Sequence, residues 1–359
     1  MKIYIKAYCK KNLGDDLFVD ILCKRYPKIN FFLVCEEEYS FALRNIENLT
    51  IVNPSGLLFI LRKLLLKILC FDIFDIFFAI YTDAVVMVGG SIFQQRGNWY
   101  KSYLSRRLTQ YFTKSTFIIG ANFGEYTTDL FIQKYSRYFE NCTDVCFRDR
   151  QSYNLFNFLP NVRYSPDIVF SLEKKIVSHK EKIVAISVVN ISEQSNRNLL
   201  QYKNVYIENM ISIINFFHRQ QYSIMLLSFC EYEGDFLIIE EIVKKTKYKI
   251  AVRQYNGQIS EFVELLNKSS YIIATRFHAV VLALSYSIPL LPVIYNQKQT
   301  NLLNDINYKG EILNIADNKI IEIEEEMFIT IDKKSLKLCK KKSLDHFLGI
   351  DQNILERIK

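Results

Sequence analysis

The chain has 359 residues, half of them hydrophobic and 23% charged, which is long for one core and excludes a disordered chain. Forty-six basic against 38 acidic residues leave a net charge of +8. That mild excess suits an anionic substrate or an anionic membrane surface and is too weak to argue for nucleic acid as a partner.

The first element, KIYIKAYC, is a strand. Lys2 and Lys6 interrupt its apolar positions and no small-residue cleavage site follows, so it does not read as a signal peptide and a cytoplasmic chain is expected. The eight cysteines agree: none form a CxxC pair, and Cys142 and Cys146 have no second pair or nearby histidine to complete a zinc site. They read as reduced, buried thiols. NLGDDLFVDILCKRYP follows as a loop and a helix. Asn12 and Gly14 permit a tight turn there, and Asp15 is a candidate helix cap. INFFLVC is the next strand, ending in an acidic stretch.

Residues 57–80 are long enough to cross a bilayer, but Arg62, Lys63, Lys67, Asp72 and Asp75 interrupt them. Each such charge costs at least roughly 2.5 kcal/mol near the bilayer centre, so a span is disfavoured. Two readings stay open: a buried or partly buried helix, and a basic amphipathic helix lying on a membrane surface.

AVVMVGG is a buried strand ending in Gly89 and Gly90, WYKSYLSRRLTQYFTK a helix, and TFIIGANFG a strand running to Asn122 and Gly124. DVCFRDRQSYNLFNFL supplies a short strand, a charged turn with Arg148, and a helix that Asp149 or Ser152 can cap. Past a linker near 167–182 the alternation restarts. KIVAISVVN, YSIMLLSFC, KIAVRQY, SYIIA and LLPVIY are strands, with helices between them. An acidic patch, a lysine-rich run over 333–342 and a closing helix complete the chain. The lysine run reads as a solvated face. Apolar strands alternating with amphipathic helices imply parallel sheets covered on both faces. The expected architecture is therefore α/β, with two doubly wound Rossmann-like domains facing a cleft: 1–170, 171–330, and a basic tail with a C-terminal helix over 331–359.

In such sheets ligands bind beyond the carboxyl ends of the strands, so the strand-to-helix turns are the candidate site. The sharpest is TRFHAVVLALSYSIPLLPV, where an arginine and a histidine stand between an apolar strand and an apolar helix. Thr275 is the expected N-cap, with Arg276, Phe277 and His278 in the first turn. The positive helix end would draw an anion, Arg276 would add a planar fork, and His278 a proton donor or acceptor. Arg148 is a second candidate carboxylate or phosphate clamp. His179, His218 and His346 sit in ordinary surface or helix contexts.

Taken in order, NLGDD, VMVGGS, GANFG, FRDRQS, SPDIVF and ATRFHAVVLALSYSIPLLPVIYNQK resemble the polysaccharide pyruvyltransferase family. The Arg-x-His pair, followed by an apolar helix, a proline, a strand, Tyr295 and Lys298, is the most specific part. Two details depart from the pattern: Ser91 stands where a third glycine is common, and the usual Asp-Pro is replaced by Pro166-Asp167-Ile168. The resemblance implies a fold similar to the glycosyltransferase B type. It implies transfer of the pyruvyl group of phosphoenolpyruvate to a sugar, often lipid-linked, to form a pyruvate ketal, with no cofactor or metal. It implies that Arg276 and Arg148 hold the donor and that His278 moves the proton. Thr275, Phe277, Tyr295 and Lys298 would line the donor site in the second domain. Asn12, Gly14, Asp15, Gly89, Gly90 and Asn122 would face the acceptor in the first. A location at the inner face of the membrane, through residues 57–80, is compatible with this reading. The rivals are a nucleotide-sugar glycosyltransferase of the same architecture, which would want an acidic residue on the ribose, a part that Glu261 and Glu264 mimic although their helical spacing reads as a solvated face, and a non-catalytic glycan-binding protein.

Overall fold

The structure is a computed structural model that describes residues 1–69, 71–173, 180–193 and 195–358. It divides into two compact units: residues 1–9, 15–171 and 341–359 form the first, and residues 10–14 and 172–340 the second. His179, Cys70 and part of the expected linker lie outside the described residues.

The first unit is built on seven parallel strands, β1 (Lys2–Lys6), β2 (Asn30–Val34), β3 (Leu49–Val52), β4 (Ala84–Val88), β5 (Thr116–Ala121), β6 (Asp144–Phe147) and β7 (Val162–Tyr164), in the order β3-β2-β1-β4-β5-β6-β7. β4 through β6 are buried at every position, as unbroken apolar strands must be when helices cover both faces. On one face Phe131, Tyr135 and Phe139 from the helix Asp129–Glu140 pack with Phe123, Phe147 and Phe156 in an aromatic core. The strand order reverses between β1 and β4.

The second unit repeats the plan with β8 (Glu181–Ser187), β9 (Ser223–Ser228), β10 (Ala251–Gln254), β11 (Ser269–Ala274), β12 (Leu290–Ile294) and β13 (Leu313–Asn314), in the order β10-β9-β8-β11-β12-β13. Its reversal falls between β8 and β11, where Ser187 pairs with Ala274. The carboxyl ends of these two strands therefore frame the crevice in which doubly wound sheets bind ligands.

Several sequence expectations need correction. Residues 57–80 do not form one helix. Asp72 ends the run by accepting a bond from the Phe74 N–H, which caps a second helix, Ile73–Tyr81, after the first, Gly56–Leu69. The first of these is largely exposed rather than buried. β3, β7, β13 and the helix Asp129–Glu140 were not foreseen: the strands are edge or near-edge elements of two to four residues, and the helix is heavily polar between its aromatics. The closing segment is a 3-10 turn, Leu344–Phe347, followed by the helix Leu348–Ile358. His346 is not a surface residue. It is fully buried in the first unit, with Nδ1 accepting from the Gly120 N–H at 3.3 Å and Nε2 donating to the Pro166 carbonyl at 2.9 Å. Those bonds require the neutral ring, and burial lowers its pKa to about 3. His218 closes the helix Lys203–Arg219 and stacks on Tyr248 at 3.6 Å.

Candidate active site

The second unit gathers its candidates around the start of the helix Phe277–Ser285. Arg276, in extended conformation, is the N-cap, not Thr275. Thr275 is fully buried and belongs to the end of the sheet. Its N–H and that of Arg276 both donate to Ser187 Oγ, at 3.1 and 3.2 Å, and its hydroxyl meets the Tyr206 hydroxyl at 3.1 Å. Its carbonyl accepts from Gln299 Nε2 at 2.7 Å. The loop at the reversal of strand order is therefore held on three sides by side chains from β8 and from the helices Lys203–Arg219 and Gln297–Asp305.

Arg276 is buried, and its fork is occupied. Nε donates to Asp235 Oδ2 at 2.9 Å, Nη2 to Asp235 Oδ1, and Nη1 to Glu233. Burial opposes the guanidinium charge, but the two carboxylates hold it firmly protonated. Asp235 is itself fully buried and also accepts from the Phe229 and Cys230 N–H groups at 3.1 and 3.2 Å. Burial raises its pKa, against the pull of Arg276. Glu233 is the looser arm, with about 35% of its side chain exposed. One cation facing two carboxylates is not a site that attracts an anion by charge, so in this state the fork expected of Arg276 serves the protein's own acids.

His278 lies in the first helical turn, partly buried, with its ring edge-on to Phe277. Residues 10–14 are counted with this unit, where Asn12 bridges to Cys230 and the Leu13 N–H donates to the Phe229 carbonyl. A Cβ on Gly14 would fall inside the His278 imidazole. Glycine here is a matter of space: the ring occupies the volume a side chain would need. Asn12 Oδ1 accepts from the Gly14 N–H at 3.0 Å, so Asn12 caps the helix that begins at Leu13, and Asp15 does not. Lys298 reaches over the Phe277 ring at 5.9 Å. Tyr295, half-buried, has its phenol pushed up to about 12 by burial, with Arg276 pulling the other way, and so stays protonated.

The first unit assembles Gly89, Gly90, Asn122, Arg148 and Asp15. Arg148 is buried and does not project into open space. Nη1 donates to Asp167 Oδ2 at 3.0 Å and Nη2 to Asn122 Oδ1 at 2.8 Å. A Cβ on Gly90 would collide with this guanidinium, while one on Gly89 would approach Asp15 Oδ1 to 3.6 Å. Asp149 caps the next helix through the Ser152 N–H, and Ser152 in turn binds the Phe123 backbone. Asp167 is fully buried, and burial raises its pKa despite Arg148. The glycines thus give way to protein groups: Gly90 to a guanidinium, Gly14 to an imidazole.

Sequence reasoning missed Asp235, Glu233, Ser187, Tyr206 and Gln299. An aspartate at the first position of a helix reads as an ordinary dipole partner, and nothing local tells that Asp235 is fully buried beneath an arginine 41 residues later. Glu264 pairs with Lys268 at 2.9 Å on an exposed helix face, which accounts for it without a ribose. Among the described residues no three His, Cys, Asp or Glu side chains cluster as a metal site.

A family model described as polysaccharide pyruvyl transferase matches residues 12–297. Among solved structures, the chain is similar to UDP-GlcNAc 2-epimerase from Neisseria meningitidis bound to UDP-GlcNAc, at 13% identity and a TM-score of 0.60, over 99% of this chain and 100% of that one. It is also similar to Anabaena Alr3699/HepE in complex with UDP and glucose, at 11% identity and a TM-score of 0.57, over 100% and 99% of the two chains. At such identities the likeness establishes the fold: two Rossmann-like parallel-sheet domains of the kind found in glycosyltransferases of B type and related epimerases.

Proposed function

The chain belongs to the polysaccharide pyruvyl transferase family, and on that premise we propose that it transfers the pyruvyl group of phosphoenolpyruvate to a sugar of a glycan or lipid-linked glycan precursor, forming a cyclic pyruvate ketal. The observation that carries this reading is the placement of His278. The imidazole stands in the first turn of a helix at the strand-order reversal of the second sheet, in space left by the missing side chain of Gly14.

The reaction needs a proton delivered to carbon. Protonation of the donor's methylene carbon turns it into a methyl group and leaves an oxocarbenium-like centre that one sugar hydroxyl attacks. A second hydroxyl displaces phosphate and closes the ring. Of the two hydroxyl protons released, one replaces the proton given to carbon and the other leaves with the phosphate. His278 is the residue we assign to that proton traffic, because an imidazole is the side chain suited to general acid–base work and this one stands in the first turn of the helix at the strand-order reversal. The helix start at Phe277 supplies positive potential for the donor's anionic groups, and Lys298, over the Phe277 ring, adds a cation.

Arg276 supports this arrangement in two ways. Bound to Asp235 and Glu233 it fixes the loop that carries His278. When the donor arrives, the half-exposed Glu233 is the partner able to yield, leaving one guanidinium nitrogen for a carboxylate or phosphate oxygen while Asp235 keeps the other two. Arg148, braced by Asp167, shapes the turn of Gly90 and Asn122, which we assign to the acceptor.

The test is incubation of the protein with phosphoenolpyruvate and candidate glycan acceptors. Phosphate release and a pyruvate ketal in the product's mass spectrum are expected together. Consumption of a nucleotide sugar, with no release of phosphate from phosphoenolpyruvate under any acceptor, would reject the assignment.

A further inference from the structure

Three consecutive helices of the first unit, Gly56–Leu69, Ile73–Tyr81 and Trp99–Phe112, leave an unusual amount of apolar surface outside the core. On the first, Ile60, Leu64 and Ile68 form a stripe at successive turns, exposed by 64, 51 and 64%. Lys63 and Lys67, three residues after Ile60 and Leu64, flank that stripe. On the second, Phe77, Ile80 and Tyr81 are exposed while Phe78 and Ala79 are buried, Phe78 stacking on Tyr4 and Phe32. On the third, Leu104, Tyr111 and Phe112 are exposed. Monomeric soluble proteins rarely leave apolar residues exposed in such concentration without a use for them.

Charge distinguishes between occupants. The three helices carry one acidic residue, Asp75, and it is buried in an ion pair with Lys6 at 2.6 Å. Their exposed charges are Lys63, Lys67 and Lys101, all positive. A second copy of this chain would bring the same lysines against themselves, and a purely apolar partner would not need them. No helix among the described residues is long and apolar enough to cross a membrane, and at 14 residues the first would span only about 21 Å. We propose that this face docks on the surface of an anionic bilayer, with the Ile60–Leu64–Ile68 stripe at the level of the acyl chains and Lys63 and Lys67 among the headgroups. This goes beyond the transfer reaction and does not depend on it.

The test is co-sedimentation of the full chain with vesicles of phosphatidylcholine, with and without phosphatidylglycerol, with no turnover measured. Binding is expected to the mixed vesicles and not to the neutral ones. It should fall by about tenfold or more in Lys63→Gln/Lys67→Gln and in Ile60→Ser/Leu64→Ser/Ile68→Ser, since each lysine near an anionic surface and each buried apolar side chain contributes separately. Lys337→Gln/Lys341→Gln, exposed lysines elsewhere in the chain, should bind like wild type. The proposal is overturned if the chain stays in the supernatant, if neutral vesicles bind it equally, or if the Lys337/Lys341 variant is the one that loses binding. It is overturned equally if size-exclusion chromatography shows a dimer that the serine substitutions dissolve. Should the serine variant fail to fold, the exposed lysine pair decides the matter alone.

Discussion

Arg148 and Arg276 invite comparison. Each follows the carboxyl end of a parallel strand, each is buried, and each rests on an aspartate with no exposure of its own. Around Arg148 stand the fully buried Asp167 carboxylate, the Asn122 amide oxygen, and Gly90 pressed against the guanidinium. Around Arg276 there are two carboxylates, and one of them, Glu233, reaches solvent. The first is a brace whose named partners are buried. The second is a brace with one movable arm, two residues before a partly buried imidazole. The difference teaches that an arginine at a strand end is not by itself a ligand clamp. What it can do depends on whether any of its partners can leave.

The largest expected effect concerns the imidazole itself. His278→Ala should reduce phosphate release from phosphoenolpyruvate plus acceptor by roughly 10²–10⁴-fold while the donor still binds. Unchanged turnover would remove His278 from the chemistry. Next, Arg148→Ala leaves Asp167 buried without its cation and should cost about 3–5 kcal/mol in unfolding free energy, measured by chemical denaturation. A loss no greater than that of a surface arginine would show that the first-unit brace is less closed than its hydrogen bonds indicate.

Gly14→Ala tests the second unit more gently. The added methyl must push the His278 ring aside, and a displacement near 1 Å should lower turnover by about 10²-fold with little change in melting temperature. If activity and stability fall together, the glycine serves the fold and not the ring. The smallest effect is a pH dependence. His346 has a folded pKa depressed to about 3, so its contribution to stability is complete above the unfolded value near 6.5 and is lost as pH falls toward 3. Asp167 and Asp235, with raised pKa values, act in the opposite sense, losing stability as pH rises above the usual carboxylate range. Comparing wild type with His346→Gln isolates the histidine: between pH 6.5 and 5 the wild type should lose roughly 1–2 kcal/mol more than the variant. Parallel curves would refute the neutral, doubly bonded ring.

Much of this was legible in the residues. Unbroken apolar runs such as AVVMV and SYIIA mark strands buried on both faces, and the restart of alternation after Ser171 separates two sheets. The Arg-x-His turn between an apolar strand and an apolar helix marks the candidate site. Less legible were β3, β7 and β13, because short edge strands need few apolar residues. The cap at Arg276 was missed by one position, because Thr275 has the right side chain for a cap but spends it on Tyr206.

What the amino-acid sequence determined alone was therefore the periodic part: alternating elements, the parallel character of the sheets, and which turns carry polar groups that an apolar context would otherwise reject. Only the tertiary structure decided the partners. Arg276 finds Asp235 and Glu233 from another strand's loop, Gly14 cedes its side-chain volume to His278 from 264 positions away in the chain, and His346 is buried on Gly120 and Pro166. Local patterns encode burial because the hydrophobic effect is additive and non-directional. They do not encode which buried charge meets which, because desolvated ion pairs and hydrogen bonds depend on geometry that exists only once distant segments have packed.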